Sequence, residues 1–294
     1  MVKHLLSTVH MTKRDVEEIF KKTDELKNKQ SNILKGKTLA MYFEKPSLRT
    51  VISFEVAMQQ LGGHAIFLHD YQVKLGERES VKDFAKVLSG YVDGIMARLF
   101  SHNTMYNLAE FSSVPVINGL DELEHPCQAL TDLYTIREFK KLKKGNKIAF
   151  LGDGKNNTFT SLIYLCKLFG LTTVVSFPEG EDYEPYASEN SCIYEHDPMV
   201  ACGYADIIYT DTFISMGKEN NSEKRIKDLE KYKLTEKLLK LAKKGAIVMH
   251  PMPIHWHEIT EDVAYGKNSV IFKQAENRLH VQKAILALLL RGKK

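Results

Sequence analysis

The chain has 294 residues, of which 44% are hydrophobic and 27% charged, so it is long enough for two ordinary domains and too apolar to be disordered. Forty-one basic residues against 37 acidic ones leave a formal charge of +4, a balance too even to argue for a nucleic-acid partner. The lysine runs at 140–144 and 243–244 fit helix ends and loops, where cations complement the macrodipole.

Cys127, Cys166, Cys192 and Cys202 form no CxxC pair and no regular spacing, which argues against a disulfide framework and a structural zinc site. The first residues lack the apolar core of a signal peptide, and no stretch reaches about eighteen consecutive apolar residues. A reduced cytoplasmic protein with no membrane span is the expectation.

In chain order, Val16, Ile19, Phe20 and Leu26 recur at helical spacing and predict a helix over 12–29. Residues 38–43 read as a buried strand. Pro46 fixes a turn, and a helix capped by Ser47 follows to Leu61, closed by Gly62 and Gly63. A strand over 65–68, a helix over 80–88, a strand over 94–98, a helix over 104–111 and a strand over 114–118 continue the alternation. A long helix over 125–141 leads to a second series. Its strands fall at 147–151, 173–176, 206–209 and 246–249, and a last helix at 276–290. Strands alternating with helices predict two doubly wound, parallel-sheet α/β domains joined by long helices.

Chemistry concentrates at the strand ends. A strand feeding the turn Pro46-Ser47-Leu48-Arg49-Thr50 into a helix offers free N–H groups, two hydroxyls and a guanidinium to an anion. Ser47 as a plain N-cap and Arg49 as a surface ion pair are the structural alternatives. Arg98 closes a predicted parallel strand, where α/β folds place ligand contacts. His125 and Gln128 sit at the start of the long helix, and Arg278 near the predicted start of the last one.

With these residues in view, the chain resembles the aspartate/ornithine carbamoyltransferase superfamily, most closely its ornithine branch. The likeness covers nearly the whole chain. It includes residues 43–50, Ser53-Phe54-Glu55, residues 61–64 and 116–120, His125-Pro126-Cys127-Gln128 and Gln274-Ala275-Glu276-Asn277-Arg278. The resemblance implies a carbamoyl phosphate-binding domain over 1–130, with the helix 276–294 packing on it, and an ornithine-binding domain over 131–275. It implies that Ser47, Leu48, Arg49, Thr50, Arg98, His125, Gln128 and Arg278 hold carbamoyl phosphate. Arg98 and His125 would act on the carbonyl. Lys74 would enter the site of a neighbouring subunit in a homotrimer or a multiple of trimers. Carbamoyl phosphate is already activated, so no metal or organic cofactor is expected.

The acceptor side rests on a second group of residues. Gly152-Asp153-Gly154 lacks the third glycine of a dinucleotide fingerprint. The resemblance places Asn157 on the amino acid instead, together with Asp211, Ser215 and Met216 of an Asp-x-x-x-Ser-Met-Gly loop. His250-Pro251-Met252-Pro253 departs from the ornithine pattern, which has cysteine where Pro251 stands. The backbone of Pro251 and Met252 is still expected to face the carbamoyl group. Leu48 and Val51 also depart from that pattern. The expected reaction is carbamoyl transfer to ornithine in arginine metabolism. The rivals are another amine acceptor and a low-activity binding or regulatory paralogue. His250, His255 and His257 lie close in sequence, but nothing puts them on one helical face, so no metal site is expected.

Overall fold

The computed structural model describes residues 4–188, 191–214 and 222–291. The chain divides into two units, Met1–Leu130 with Asn277–Lys294, and Thr131–Glu276.

The first unit contains α1 (Lys13–Leu26), β1 (Thr38–Phe43), α2 (Leu48–Gln60), β2 (His64–His69), α3 (Asp70–Val73), α4 (Val81–Ser89), β3 (Gly94–Arg98), α5 (His102–Phe111), β4 (Val116–Leu120) and the start of α6 (Pro126–Lys140). Its strands are parallel in the order β2-β1-β3-β4. β1 is central, so both of its faces are covered, and Leu39 to Phe43 are all buried. The helix starts are written in the sequence: Thr12, Ser47, Ser80 and Ser101 each cap their helix by accepting a backbone N–H.

The strand order matters for function. After β1 the chain pairs to one side with β2, then crosses to the other side of β1 for β3. This creates a topological switch point where the C-terminal ends of β1 and β3 diverge. Phe43 pairs with Arg98 across that point, and Glu44 N–H donates to the Arg98 carbonyl at 3.0 Å. β4 lies on the far side of β3, so its exit toward His125 reaches the same end of the sheet.

The second unit repeats the device with β5 (Lys147–Leu151), α7 (Asn157–Leu168), β6 (Thr172–Ser176), β7 (Ile193–Glu195), α8 (Pro198–Cys202), β8 (Ile207–Thr210), α9 (Ser222–Leu229), α10 (Glu236–Leu239), β9 (Ile247–Met249), α11 (Glu261–Ala264) and the start of α12 (Ile271–Leu290). The order is β7-β6-β5-β8-β9, all parallel, which puts the switch point between β5 and β8. No helix among the described residues is long and apolar enough to cross a membrane.

Three element starts differ from expectation by two residues or more; α5 begins at His102 rather than at residue 104, because Ser101 caps it by accepting Thr104 N–H. β4 begins at Val116 rather than at residue 114, because Pro115 has no N–H to give to a ladder. α12 begins at Ile271, not at Glu276: Ile271 and Gln274 are fully buried, and Gln274 N–H already bonds back to Val270. Arg278 therefore stands two turns into the helix and acts through its guanidinium alone, without the positive helix end.

Candidate functional site

In the first unit the switch point gathers cations. Ser47 caps α2 and its hydroxyl lies 3.0 Å from Thr50 Oγ1, which in turn accepts from Arg278 Nη2 at 3.1 Å. Thr50, His125, Gln128 and Arg278 are buried, whereas Arg49 in the first turn of α2 and Arg98 at the end of β3 are partly exposed. α12 is held in this unit by Lys283, whose ammonium donates to the Leu26 carbonyl at 2.9 Å and to Gln60 Oε1 at 3.0 Å.

The electrostatics show how close these groups are. Desolvation, followed by Arg278 and Arg49, pulls the Arg98 pKa down to about 10. Desolvation, then Arg278, Arg98 and Arg49, pushes His125 well below its ordinary value, so its ring is neutral at physiological pH. A neutral imidazole beside three guanidinium groups can polarise a carbonyl oxygen without adding another charge. Arg98 Nε is buried with no hydrogen-bond partner among the described residues. Such an arrangement carries positive potential that an anion would relieve.

Leu48, at the first position of α2, is 74% exposed, so within the turn it offers only its backbone. Lys74 adopts a left-handed backbone at φ +47°, and its ammonium is exposed and 3.7 Å from Glu77.

In the second unit β5 is followed by Gly152, whose φ of +125° suits glycine, and Asn156 caps α7 by accepting from Phe159 N–H at 2.9 Å. Asn156 Nδ2 donates to Asp211 Oδ2 at 2.8 Å across the β5–β8 switch point, and Thr212 N–H donates to Asp211 Oδ1 at 2.7 Å. Burial raises the Asp211 pKa, while His250, Thr212 and Asn156 pull it down in part. Asn157 follows in the first turn of α7, half-buried. Ser215 and Met216 lie outside the described residues.

After β9, His250 and Glu258 are fully buried. His250 Nδ1 accepts from Met252 N–H at 2.8 Å, which assigns the ring proton to Nε2, and Nε2 faces Glu258 Oε1 at 3.1 Å. Glu258 Oε1 also accepts from His255 N–H at 2.7 Å. Burial pushes the Glu258 pKa up, but these donors outweigh it and the net shift is downward. The pair therefore shapes the Pro251–Met252 turn. Glu258→Ala strands the buried His250 Nε2 donor and removes the acceptor of the part-buried His255 N–H, and is expected to cost about 1–3 kcal/mol, measurable by denaturant unfolding. Glu258→Gln, which keeps an acceptor, should cost clearly less.

Sequence reasoning passed over Asn156, Glu258 and the Asp153–Arg225 ion pair, which spans 2.6 Å with the guanidinium 4.5 Å from the Tyr183 ring. Only Asn156 carried a visible signal, as a polar residue at a helix start. Among the described residues no group of three or more His, Cys, Asp or Glu is placed to hold a metal ion.

A parallel α/β unit that gathers arginines and a helix start at its switch point defines a binder of small anions. Residues 3–138 match the aspartate/ornithine carbamoyltransferase carbamoyl-P binding domain, and residues 144–289 match the Asp/Orn binding domain of the same group. The ornithine carbamoyltransferase of Archaeoglobus fulgidus is 45% identical over 98% of both chains, and that of Methanopyrus kandleri is 46% identical over 98% of this chain and 97% of its own. Among solved structures, the Pyrococcus furiosus ornithine carbamoyltransferase superposes with a TM-score of 0.93 at 43% identity, covering 99% of this chain and 98% of that one. The Thermus thermophilus enzyme gives 0.91 at 40% identity and 99% coverage of both. The chain belongs to the aspartate/ornithine carbamoyltransferase family.

Proposed function

We propose that this chain transfers the carbamoyl group of carbamoyl phosphate to the δ-amine of L-ornithine, giving L-citrulline and phosphate. The observation that carries the reading is the convergence of Arg49, Arg98, Arg278 and neutral His125 on the first unit's switch point. Ser47, the backbone of Leu48, Arg49 and Thr50 hold the phosphate, with Arg278 behind them. Arg98, His125 and Gln128 hold the carbonyl end. Pro251 and Met252 offer backbone oxygens to the carbamoyl NH2. Asn157, Asp211, Ser215 and Met216 hold the amino acid.

The uncharged amine attacks the carbamoyl carbon, a tetrahedral oxyanion forms beside Arg98 and His125, and the C–O bond to phosphate breaks as the amine passes its proton to the departing phosphate. Positioning supplies much of the remaining rate, and no step needs a metal or an organic cofactor.

The assembly is a homotrimer or a multiple of it, working in the reduced cytoplasm. The β2 edge of the sheet supports this: Phe43 of β1, Phe67 and His69 of β2 and Tyr71 of α3 form a ring ladder with centroids 4.3–5.0 Å apart, ending on Tyr71 at 72% exposure. An edge of that kind calls for a cover, and the adjacent loop leaves the Lys74 ammonium exposed and able to meet one. All four cysteines are buried thiols, which suits a reducing compartment.

The test is citrulline formation from carbamoyl phosphate with ornithine and with a panel of other amines, alongside light scattering for the assembly. Pro251 stands where the ornithine branch has cysteine, so a strong preference for another amine would overturn the acceptor. Absence of turnover would favour the binding paralogue.

A further inference from the structure

The turn that presents His125 is held from two sides, and only one of them is local. From within, Asp121 Oδ1 accepts the N–H groups of Leu123 at 2.9 Å and Glu124 at 2.8 Å, while Asp121 Oδ2 accepts from Asn118 Nδ2 at 2.8 Å and faces His102 Nδ1 at 2.7 Å. From outside comes the N-terminal segment 5–8, which runs along β4. Leu5 N–H donates to the Val116 carbonyl at 2.8 Å, Asn118 N–H donates to the Leu5 carbonyl at 2.7 Å, and Asn118 Nδ2 donates to the Leu6 carbonyl at 2.8 Å.

That segment ends on Glu124. Ser7 donates its hydroxyl to Glu124 Oε1, and Thr8 donates both its N–H and its hydroxyl to Oε2, each at 2.9 Å. All three residues are nearly dry: Ser7 is 7%, Thr8 1% and Glu124 4% exposed. A carboxylate in such a place is costly unless it is fully hydrogen-bonded, and an apolar side chain would fill the space with less penalty. What the carboxylate adds is direction. Its acceptors meet donors from two consecutive residues more than a hundred positions away, which fixes the peptide immediately before His125.

We propose that the strap 5–8, acting through Glu124, is a positioning device for His125 and hence for the carbonyl end of carbamoyl phosphate. This rests on the carbamoyltransferase reading above. Neither Ser7, Thr8 nor Glu124 touches the substrate. They act by holding the ring of His125 at the angle the donor needs, and small errors in such placement are expensive in rate.

The double variant Ser7→Ala/Thr8→Val keeps size and removes both hydroxyls, while Thr8→Ser keeps its hydroxyl. Rates are measured with each substrate varied in turn, and carbamoyl phosphate, without ornithine, is titrated calorimetrically on the same proteins. The double variant is expected to raise the KM for carbamoyl phosphate and weaken its binding about tenfold, with the KM for ornithine at saturating donor nearly unchanged. Thr8→Ser should behave as the parent. A double variant that melts earlier yet keeps the parent's KM, kcat and carbamoyl phosphate affinity per folded molecule would overturn the strap's role. If the double variant fails to fold, Glu124→Gln, which keeps one acceptor oxygen, is judged by the same measurements. The carbamoyl phosphate titration judges the strap even if the parent makes no citrulline, and that failure would fall on the proposed reaction alone.

Discussion

Arg98→Gln is expected to lower kcat/KM for carbamoyl phosphate about a hundred- to a thousandfold, the scale of losing one preorganised oxyanion donor. The same change should leave the unliganded protein at least as stable as its parent. Both expectations have one cause. Arg98 is partly desolvated and faces Arg278 and Arg49, which together hold its pKa down to about 10. A cationic group whose folded pKa is lowered disfavours its own charge in the fold, yet Arg98 is fully charged at neutral pH. Its presence there costs the empty protein stability, and the anion offsets that cost. Glutamine is too short to place a donor where the guanidinium stood, and it removes the charge and the repulsion. Thermal unfolding with and without inorganic phosphate separates the effects. The parent should gain stability as phosphate is added, by about 2.7 kcal/mol at a hundred times its Kd. Arg98→Gln should start at an equal or higher Tm and gain markedly less. A variant with the parent's kcat/KM would take Arg98 out of the reaction, and one with a collapsed apo Tm would make its role structural.

Much of this cradle was legible in the sequence because its parts are local. Ser47 caps a helix by its own chemistry, and residues 38–43 form a strand because a central parallel strand is apolar on both faces. Arg98 lies at a strand end wherever that strand sits. What the sequence hid is long-range. No local pattern says that β1 lies between β2 and β3, yet that order is what brings Phe43 beside Arg98. The grip of Ser7 and Thr8 on Glu124 is hidden for the same reason. Arg278 misled because Glu276 looks like a helix start before an apolar run, whereas Ile271 and Gln274 extend the helix backward by burial. Asn156 and Asn157 are adjacent and identical in type, and only the fold distinguishes the one that caps α7 and holds Asp211.

On the acceptor side, Asp211→Asn is expected to reduce kcat/KM for ornithine about a hundredfold or more, the scale of an unpaired buried ligand cation, with little change in the KM for carbamoyl phosphate. Burial holds the Asp211 pKa above its ordinary value, and the partial compensation by His250, Thr212 N–H and Asn156 does not reverse the shift. The sign follows from that direction. A raised carboxylate pKa contributes stability below the unfolded value that is lost as pH rises through the folded value, so ionised Asp211 is a liability to the empty fold at neutral pH. The neutral amide of Asp211→Asn removes that liability and can still accept from Thr212 N–H, but it turns an NH2 toward the Asn156 Nδ2 donor, so the two effects largely cancel and the variant's Tm at pH 7 should stay close to the parent's. Activity runs the other way. The carboxylate must be ionised to pair with the substrate ammonium, while the attacking amine must be neutral, and both fractions grow with pH. In the parent, kcat/KM for ornithine should therefore climb with two components, one at the raised Asp211 pKa and one toward the amine near about 10. In Asp211→Asn the acid component should vanish and the alkaline one persist. A variant that kept the acid component would show that another group controls it. A variant that lost Tm and activity together would make Asp211 a structural residue of the β5–β8 switch point.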